Sequence, residues 1–154
     1  MRDARLRDLD ALIELEQACY PPRQAYSRAE YRYALGIARA VNLIHEEDGR
    51  IVGFVGAFHH KAWRVGHVYT VNVHPSMRGR GLGKRLMETC EARLAKLGMT
   101  RLLLEVNVEN KAAMALYESC GYAQTQRLNG YYTQYDDNDA WQYEKTLARP
   151  RLSP

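Results

Sequence analysis

From Arg78 to Lys84 the chain reads Arg-Gly-Arg-Gly-Leu-Gly-Lys, three glycines at alternate positions among cations. Glycine at every second position bares the backbone N–H groups, and a leucine-spaced helical pattern begins directly afterwards. N–H groups at a helix N-terminus, ringed by arginine and lysine, form a cradle for an anion, and a diphosphate matches it best. Two known phosphate loops fail on spacing. A dinucleotide fingerprint needs G-x-G-x-x-G, whereas Gly79, Gly81 and Gly83 alternate. A Walker loop needs Gly-Lys-Ser/Thr, and here Arg85 follows Lys84. Taken alone, the glycines are equally compatible with a basic strand-to-helix turn that holds no ligand.

Other residues could do proton chemistry. Glu105 sits in the otherwise apolar run Leu102-Leu103-Leu104-Glu105-Val106. Burial there would raise its pKa toward the range of a general base at neutral pH. The pattern alone prefers a strand-end glutamate paired with an arginine such as Arg101. Asn110 and Tyr117 are two helical turns apart and share a face. Asn110 also suits a helix N-cap, and Tyr117 also falls on an apolar stripe as a core residue. Among the histidines, His59 and His60 read as a solvated turn at the far end of a strand. His67 opens the next strand, from which it can face a substrate groove, and His74 ends that strand. The sequence shows no carboxylate partner for any of them, so all rank below Glu105 as a base.

Tyrosine is abundant, eleven residues against two phenylalanines. It clusters at Tyr20, Tyr26, Tyr31 and Tyr33 and again at Tyr131, Tyr132 and Tyr135. Such residues line a groove or cap core edges with a wet hydroxyl. Asp136, Asp137 and Asp139 beside the second cluster attract a cationic amine or solvate a turn.

The elements that must position these groups follow from pattern. A chain of 154 residues suits one domain, expected over 1–148 with a flexible tail at 149–154. Leu9, Leu12 and Ile13 mark a first helix, which ends at Tyr20-Pro21-Pro22. Ser27-Arg28-Ala29-Glu30 has the form of a capping box and opens a second helix with the stripe Tyr31, Ala34, Leu35 and Ala38. Residues 41–46 and 50–58 flank Asp48-Gly49, a hairpin signal. Residues 68–73 form a strand stopped by Pro75. Leu82, Leu86, Cys90, Leu94 and Leu97 define a helix closed by Gly98. Residues 101–106 form an interior strand, and Asn110 opens a last helix with Ala113, Leu116, Tyr117 and Cys120 on one face. Two more strands surround a polar loop at 131–138. The order predicts a mixed α/β domain with helices crossing over one sheet.

Net charge of +4 fits an anionic ligand or acidic partner and is too small to argue for nucleic acid; no direct nucleic-acid binding is expected. Cys19, Cys90 and Cys120 lack metal-type spacing and read as reduced thiols of a cytoplasmic protein without a metal. The opening MRDARLRDLD has no apolar signal region, and no stretch approaches the roughly 18 apolar residues of a membrane span.

At this point the sequence resembles a known family. Val73-His74-Pro75 followed by Arg78-x-x-Gly81-x-Gly83 is similar to the acetyl-CoA signature of the GNAT N-acetyltransferases, R/Q-x-x-G-x-G/A. Leu104-Glu105-Val106, Asn110 and the run from Ala115 to Tyr122 resemble the corresponding motifs of that family's ribosomal-protein-alanine type. The resemblance covers roughly residues 50–147. It implies a GNAT-like α/β fold, a central mixed, mostly antiparallel sheet flanked by helices, with acetyl-CoA as cosubstrate. It implies that Val71, Asn72 and Val73 hold the acetyl and pantetheine groups through their main chain, one N–H serving as oxyanion donor. Arg78, Gly79, Arg80, Gly81, Leu82, Gly83 and Lys84 would bind the pyrophosphate, and Asn110 the coenzyme. Glu105 becomes the general base, direct or through a water, and Tyr117 the general acid. Tyr26, Tyr131 and Tyr132 would line the acceptor groove.

The acceptor expected from this type is a peptide or protein N-terminus, for instance of a ribosomal protein, used by a monomer or weak dimer. A lysine or small-amine acetyltransferase and a non-catalytic acyl-CoA-binding module are the alternatives. The connection Tyr20-Pro21-Pro22-Arg23-Gln24-Ala25-Tyr26 departs from the aromatic-proline-tryptophan form of that type. Arg23, Arg28 and Arg32 make it basic, which suits acidic residues after the acetylated one.

Overall fold

The hairpin signal at Asp48-Gly49 joins β2 (Ala40–Glu47) to β3 (Arg50–His60), with both turn residues left-handed at φ 50° and 75°. Around this pair the computed structural model, which describes residues 1–133 and 135–148, builds a seven-stranded sheet. The other strands are β1 (Arg2–Asp3), β4 (Val65–Val73), β5 (Arg101–Asn107), β6 (Ala123–Leu128) and β7 (Ala140–Thr146). Their spatial order is β1-β2-β3-β4-β5-β7-β6, antiparallel throughout except between β4 and β5. Helices α1 (Leu9–Cys19) and α2 (Arg28–Gly36) cover one face; α3 (Leu82–Lys96) and α4 (Lys111–Ser119) pack into the core of the other. The expected mixed α/β architecture is present.

Local chemistry explains most element ends. Ser27 accepts from Glu30 N–H while the Glu30 carboxylate accepts from Ser27 N–H, closing the capping box. Leu82, Leu86, Cys90 and Leu94 are all buried along α3, which drives it onto the sheet. Leu97 departs from the expected stripe: it lies past the last turn and is 40% exposed. Ala38 likewise falls beyond α2, which stops at Gly36. The histidine pair is also corrected. Pairing of His59 with Gly66 and His60 with Val65 carries β3 through both residues, so His59 is buried in a strand rather than solvated in a turn. The two-residue edge strand β1 was too short to show a pattern. Residues 149–154, expected as a flexible tail, lie outside the described residues.

The feature that matters for function is a divergence. β4 and β5 pair in parallel only at 65–67 with 101–103, and beyond that point they separate. A bulge opposite contributes: Gly56 pairs with Thr70 and Ala57 with Val68, leaving Tyr69 as the extra residue of β4. A bulge bends its strand and adds twist. It depends on Gly56, because a Cβ there would collide with the Tyr69 ring. That ring stacks on Phe58 at 4.8 Å and donates its hydroxyl to Asn42 Oδ1 at 2.5 Å, so it has little room to retreat. Glu16, 1% exposed on α1, fixes the bent strand: its Oε2 accepts from Asn72 Nδ2 (2.5 Å) and Tyr31 hydroxyl (2.6 Å). Its Oε1 accepts from Tyr26 N–H at 2.8 Å, which also ties down the α1–α2 connection.

Gly56→Ala is therefore expected to cost about 1–3 kcal/mol, the range for overpacking a closed core. Urea unfolding checks this; a midpoint unchanged from the parent would mean the Tyr69 ring is free to move.

Candidate active site

Where β4 and β5 part, a cavity of about 430 Å³ opens. Val71, Val73 and Arg78 form one wall, and Asn107, Asn110, Leu116 and Tyr117 the other. Cys19 and Tyr20, at the end of α1, close one side. A smaller chamber of about 70 Å³ adjoins it, sharing Tyr20, Gln24, Val71, Asn107, Asn110, Tyr117 and Tyr135. Glu16, Tyr26, Tyr69, Glu105 and Tyr132 are among the other residues of its wall. A continuous track thus runs from the strand end beside the glycine loop to the one glutamate expected as a base.

The three loop glycines do different jobs. Gly79 and Gly81 are left-handed, at φ 76° and 77°, and face open space. The first bond of the α3 ladder runs from Arg85 N–H to Gly81 C=O, so the N–H groups of Leu82, Gly83 and Lys84 precede it. Gly83 is a packing position instead: a Cβ there would sit 3.2 Å from Leu116 and 3.6 Å from Val73. Leu82 buries its side chain in the core and can offer only its main chain. Arg80 and Lys84 are exposed beside the loop. Arg78 turns back and donates from Nε to the Val73 carbonyl at 3.2 Å, a group to which the Cys19 thiol also donates at 3.4 Å. Asn72 points its side chain away, into the Glu16 network. Open left-handed glycines, main-chain N–H groups ahead of the helical ladder, exposed cations and a strand edge that diverges from β5 together fit a diphosphate carrying an extended arm.

Glu105 is 11% exposed and meets an imidazole: His67 Nε2 lies 2.5 Å from its Oε2. Gln142 Nε2 approaches Oε1 at 3.4 Å, itself held by a bond from Gln126 at 2.9 Å, and Tyr131 adds its hydroxyl. Burial pushes the carboxyl pKa up, but the hydrogen bond and charge of His67, together with the hydrogen bonds from Gln142 and Tyr131, outweigh it, and the group lies below the ordinary glutamate value. The expectation of a raised pKa is therefore corrected. So is the partner, because Arg101 pairs with Glu144 at 3.5 Å instead. His67 does have a carboxylate partner, which only the β4–β5 pairing could reveal.

Tyr117 is a core residue that also borders the cavities. Its ring packs in the core against Tyr122 and Tyr143 at 6.2 and 6.4 Å, while the residue lines both cavities. Burial drives its phenol far up the scale, so it stays protonated at neutral pH. Asn110 is the N-cap of α4, Oδ1 accepting from Ala113 N–H at 3.1 Å, and lines both cavities as well. Tyr26 donates its hydroxyl to the Tyr69 carbonyl at 3.2 Å, and burial raises its pKa to about 12. Tyr131 and Tyr132 stand edge to face at 4.9 Å; Tyr132 enters the chamber wall and Tyr131 reaches Glu105. The aspartates near them serve the loop. Asp139 pairs with Arg127 at 2.8 Å and accepts from Gly130 N–H, and Asp136 faces Arg23 at 3.8 Å. In the basic connection, Arg28 is engaged by Asp10 at 2.6 Å.

The sequence did not point to Gln24, Asn107, Gln142 or the buried Glu16. Asn107 alone carried a signal, as a polar residue next to an apolar strand; it donates to the Asp137 carbonyl at 2.6 Å and anchors the β6–β7 loop. Among the described residues no cluster of His, Cys, Asp or Glu could hold a metal ion, and no helix is long and apolar enough to cross a membrane.

Comparison with known proteins agrees with this geometry. The acetyltransferase (GNAT) family model matches residues 9–122, and the chain belongs to that family. It is 38% identical over 77 residues to mycothiol acetyltransferase of Streptomyces coelicolor, a match covering half of this chain and a quarter of that protein. It is 28% identical to an N-alpha-acetyltransferase of Saccharolobus solfataricus, covering 97% of this chain and 92% of the relative. The crystal structure of the ribosomal-protein-S18-alanine N-acetyltransferase of Escherichia coli superposes with a TM-score of 0.84 at 26% identity, over 99% of this chain and 97% of that one.

Gly81→Glu is expected to weaken coenzyme A binding more than tenfold in a folded protein, since it strains a left-handed residue and puts an anion into the cradle. Calorimetric titration with coenzyme A measures it, and unchanged affinity would reduce the glycines to a turn.

Proposed function

We propose that the chain is an acetyl-CoA-dependent N-acetyltransferase whose acceptor is the α-amine of a protein N-terminus, acetylated by direct attack in a ternary complex. The observation that carries this is the track from the open glycine loop, along the unpaired edge of β4, to Glu105 and Tyr117 in one chamber. Gly79, Gly81 and the N–H groups of 82–84 hold the pyrophosphate, with Arg78, Arg80 and Lys84 adding charge. Main-chain groups of Val71, Asn72 and Val73 hold the arm, as a strand holds an added strand, and Asn110 flanks it. When bound, the coenzyme supplies an acetyl carbonyl open to attack and a sulfur leaving group.

The chain's own residues then handle protons and position. Glu105 takes the proton of the acceptor ammonium, and a main-chain N–H at 71–73 stabilises the developing oxyanion. Tyr117, kept protonated by burial, gives its proton to the departing sulfur. Tyr26, Tyr131 and Tyr132 border the acceptor. Magnitudes favour an α-amine. Moving a proton to the same carboxylate costs about 3 kcal/mol less from an α-ammonium (pKa about 8) than from a lysine ammonium (about 10.4). A carboxyl held below its usual value leaves this difference unchanged but makes the easier substrate more necessary. The N-alpha-acetyltransferase and the ribosomal-protein-alanine enzyme among the relatives support the same acceptor class, with a ribosomal protein as one candidate.

Two peptides test the assignment by mass spectrometry: one with a free N-terminus and no lysine, one N-blocked with an internal lysine. Acetylation of the first alone is expected; acetylation of the second alone moves the protein to the lysine class, and reaction on neither points to small amines or to coenzyme binding without turnover. On the reactive peptide, Glu105→Gln is expected to lower kcat about 100-fold with coenzyme affinity retained. An equal loss of coenzyme affinity would make Glu105 structural.

A further inference from the structure

The turn between β3 and β4, from Lys61 to Arg64, carries the most exposed large apolar side chain among the described residues: Trp63, at 75%. One exposed apolar residue is ordinary by itself. What sets this one apart is how it is held. One face of the indole lies on the His60 imidazole, ring centroids 4.2 Å apart and planes 16° from parallel. With three-quarters of the residue exposed, the opposite face is bare. The turn beneath is fixed at its end. Arg64 N–H donates to the Lys61 carbonyl at 3.2 Å, and Arg64 is left-handed at φ 54°, a conformation a non-glycine residue rarely adopts. The α3–β5 connection holds it there: Arg64 Nε donates to the Gly98 carbonyl at 3.0 Å, and the Arg64 carbonyl accepts from Thr100 N–H at 2.8 Å. The stacked rings are thus a supported platform at a hairpin tip.

Cations without acidic partners flank it. An open hollow of about 410 Å³ beside the platform is lined by Arg39, His59, His60 and Lys61. Among the described residues, neither Arg39 nor Lys61 has a carboxylate within ion-pair distance. His59 is buried in this wall, and its Nδ1 has no hydrogen-bond partner among the described residues. Burial and the charges of Lys61 and Arg39 hold its pKa below the usual histidine value, so the field of both cations converges there. The sequence carries the same imbalance. From Gly49 to Met87 there is no Asp or Glu, whereas the rest of the chain has more acids than lysines and arginines. A net charge of +4 averages the two and conceals the first.

We propose that the β3–β4 tip is a docking site for single-stranded nucleic acid, with one base stacked on the bare face of Trp63 and the neighbouring phosphates against Lys61, Arg64 and Arg39. A flat π-face beside unmatched cations is the combination that binds such strands without sequence preference. A duplex keeps its base faces stacked on one another and has none to offer the indole. An acidic peptide would use the cations and leave the platform idle. The site is distinct from the coenzyme cradle. The tip and the glycine loop stand at opposite ends of the nine-residue strand β4, roughly 30 Å of strand apart, and no residue from 59 to 64 lines either active-site cavity.

The test titrates the intact chain with labelled octauridylate and octathymidylate by fluorescence anisotropy at low salt, coenzyme A in excess so that the glycine loop is filled. Binding is expected with a Kd on the order of 10 µM. Trp63→Ala is expected to weaken it about tenfold, the loss of one stacked base. Lys61→Gln is expected to lower the logarithmic salt slope by about 0.7, the loss of one phosphate contact. Both residues are exposed and outside the catalytic machinery, so both variants are expected to keep the parent's melting temperature and its rate on a short peptide. Tighter binding of one strand identifies RNA or DNA as the ligand within the same inference. In ¹⁵N-resolved spectra the strand is expected to shift the indole N–H of Trp63 and not that of Trp141 on β7. Full affinity in Trp63→Ala, a shift at Trp141 alone, or binding that coenzyme A abolishes overturns the inference. So does binding to vesicles of phosphatidylcholine and phosphatidylserine with none to either strand, which makes the tip a membrane contact. No turnover is needed for the titration, so its failure leaves the acetyl-transfer reading standing, and a chain that acetylates no peptide leaves this one standing.

Discussion

Parallel strands pair with evenly spaced bonds, and once two of them begin to run together there is every reason to continue. Here β4 and β5 stop after three residues, and the site depends on what keeps them from closing. The bulge at Tyr69 bends β4, and the absent side chain of Gly56 gives the Tyr69 ring somewhere to lie. Glu16 then holds the bent strand from behind through Asn72. The open edge that results exposes backbone polar groups that would be costly to bury without partners, so an extended ligand with its own amides is a natural complement. The price of this opening is borne by one buried carboxylate that must satisfy three donors from α2, β4 and the α1–α2 connection.

That same carboxylate shows why stability and function are hard to separate in this fold. Glu16 lines the chamber wall yet spends both oxygens on structural donors. Glu105, across the chamber, has one oxygen beside His67, is approached at the other by Gln142 at 3.4 Å, and also accepts from the Tyr131 hydroxyl. The two carboxylates of the chamber thus differ in what their partners do: those of Glu16 tie together α2, β4 and the α1–α2 connection, and those of Glu105 stand at the opening between β4 and β5. An oxygen already accepting hydrogen bonds is stabilised in its charged form and is a poor place for a proton. On the proposed reaction Glu105 takes the acceptor's proton, while both oxygens of Glu16 are committed to structural donors.

The sequence disclosed the parts of the molecule whose causes are local. The capping box at Ser27, the Asp48-Gly49 turn, the leucine stripe of α3 and the loop glycines all act within a few residues, and all are present. The elements that arise from pairing at a distance were not legible. Nothing near His59 indicates that β3 continues to His60, since its partner Gly66 lies beyond a turn. Nothing near Glu105 indicates an imidazole from a residue 38 positions earlier, so its pKa was read from burial alone and came out in the wrong direction. Gly83 is intermediate. Its place in the loop was evident, but its reason, the approach of Leu116 from another helix, was not.

A weakly basic carboxylate is at first sight ill suited to the proposed reaction, which begins with a proton on nitrogen, yet the charge balance of the chamber resolves this. A strongly basic glutamate would be protonated part of the time and would then neither attract an ammonium nor accept from it. On the proposed reaction, Glu105, kept ionised by His67, Gln142 and Tyr131, holds the negative charge that draws the cation in. The proton transfer is uphill, but it need only persist until the nitrogen lone pair is committed to attack, so a modest equilibrium fraction of free amine suffices. This compromise works for an amine whose pKa lies near 8 and works poorly for one near 10.4. On the proposed reaction, the His67–Glu105 pair therefore contributes to the choice of acceptor as well as to the handling of its proton.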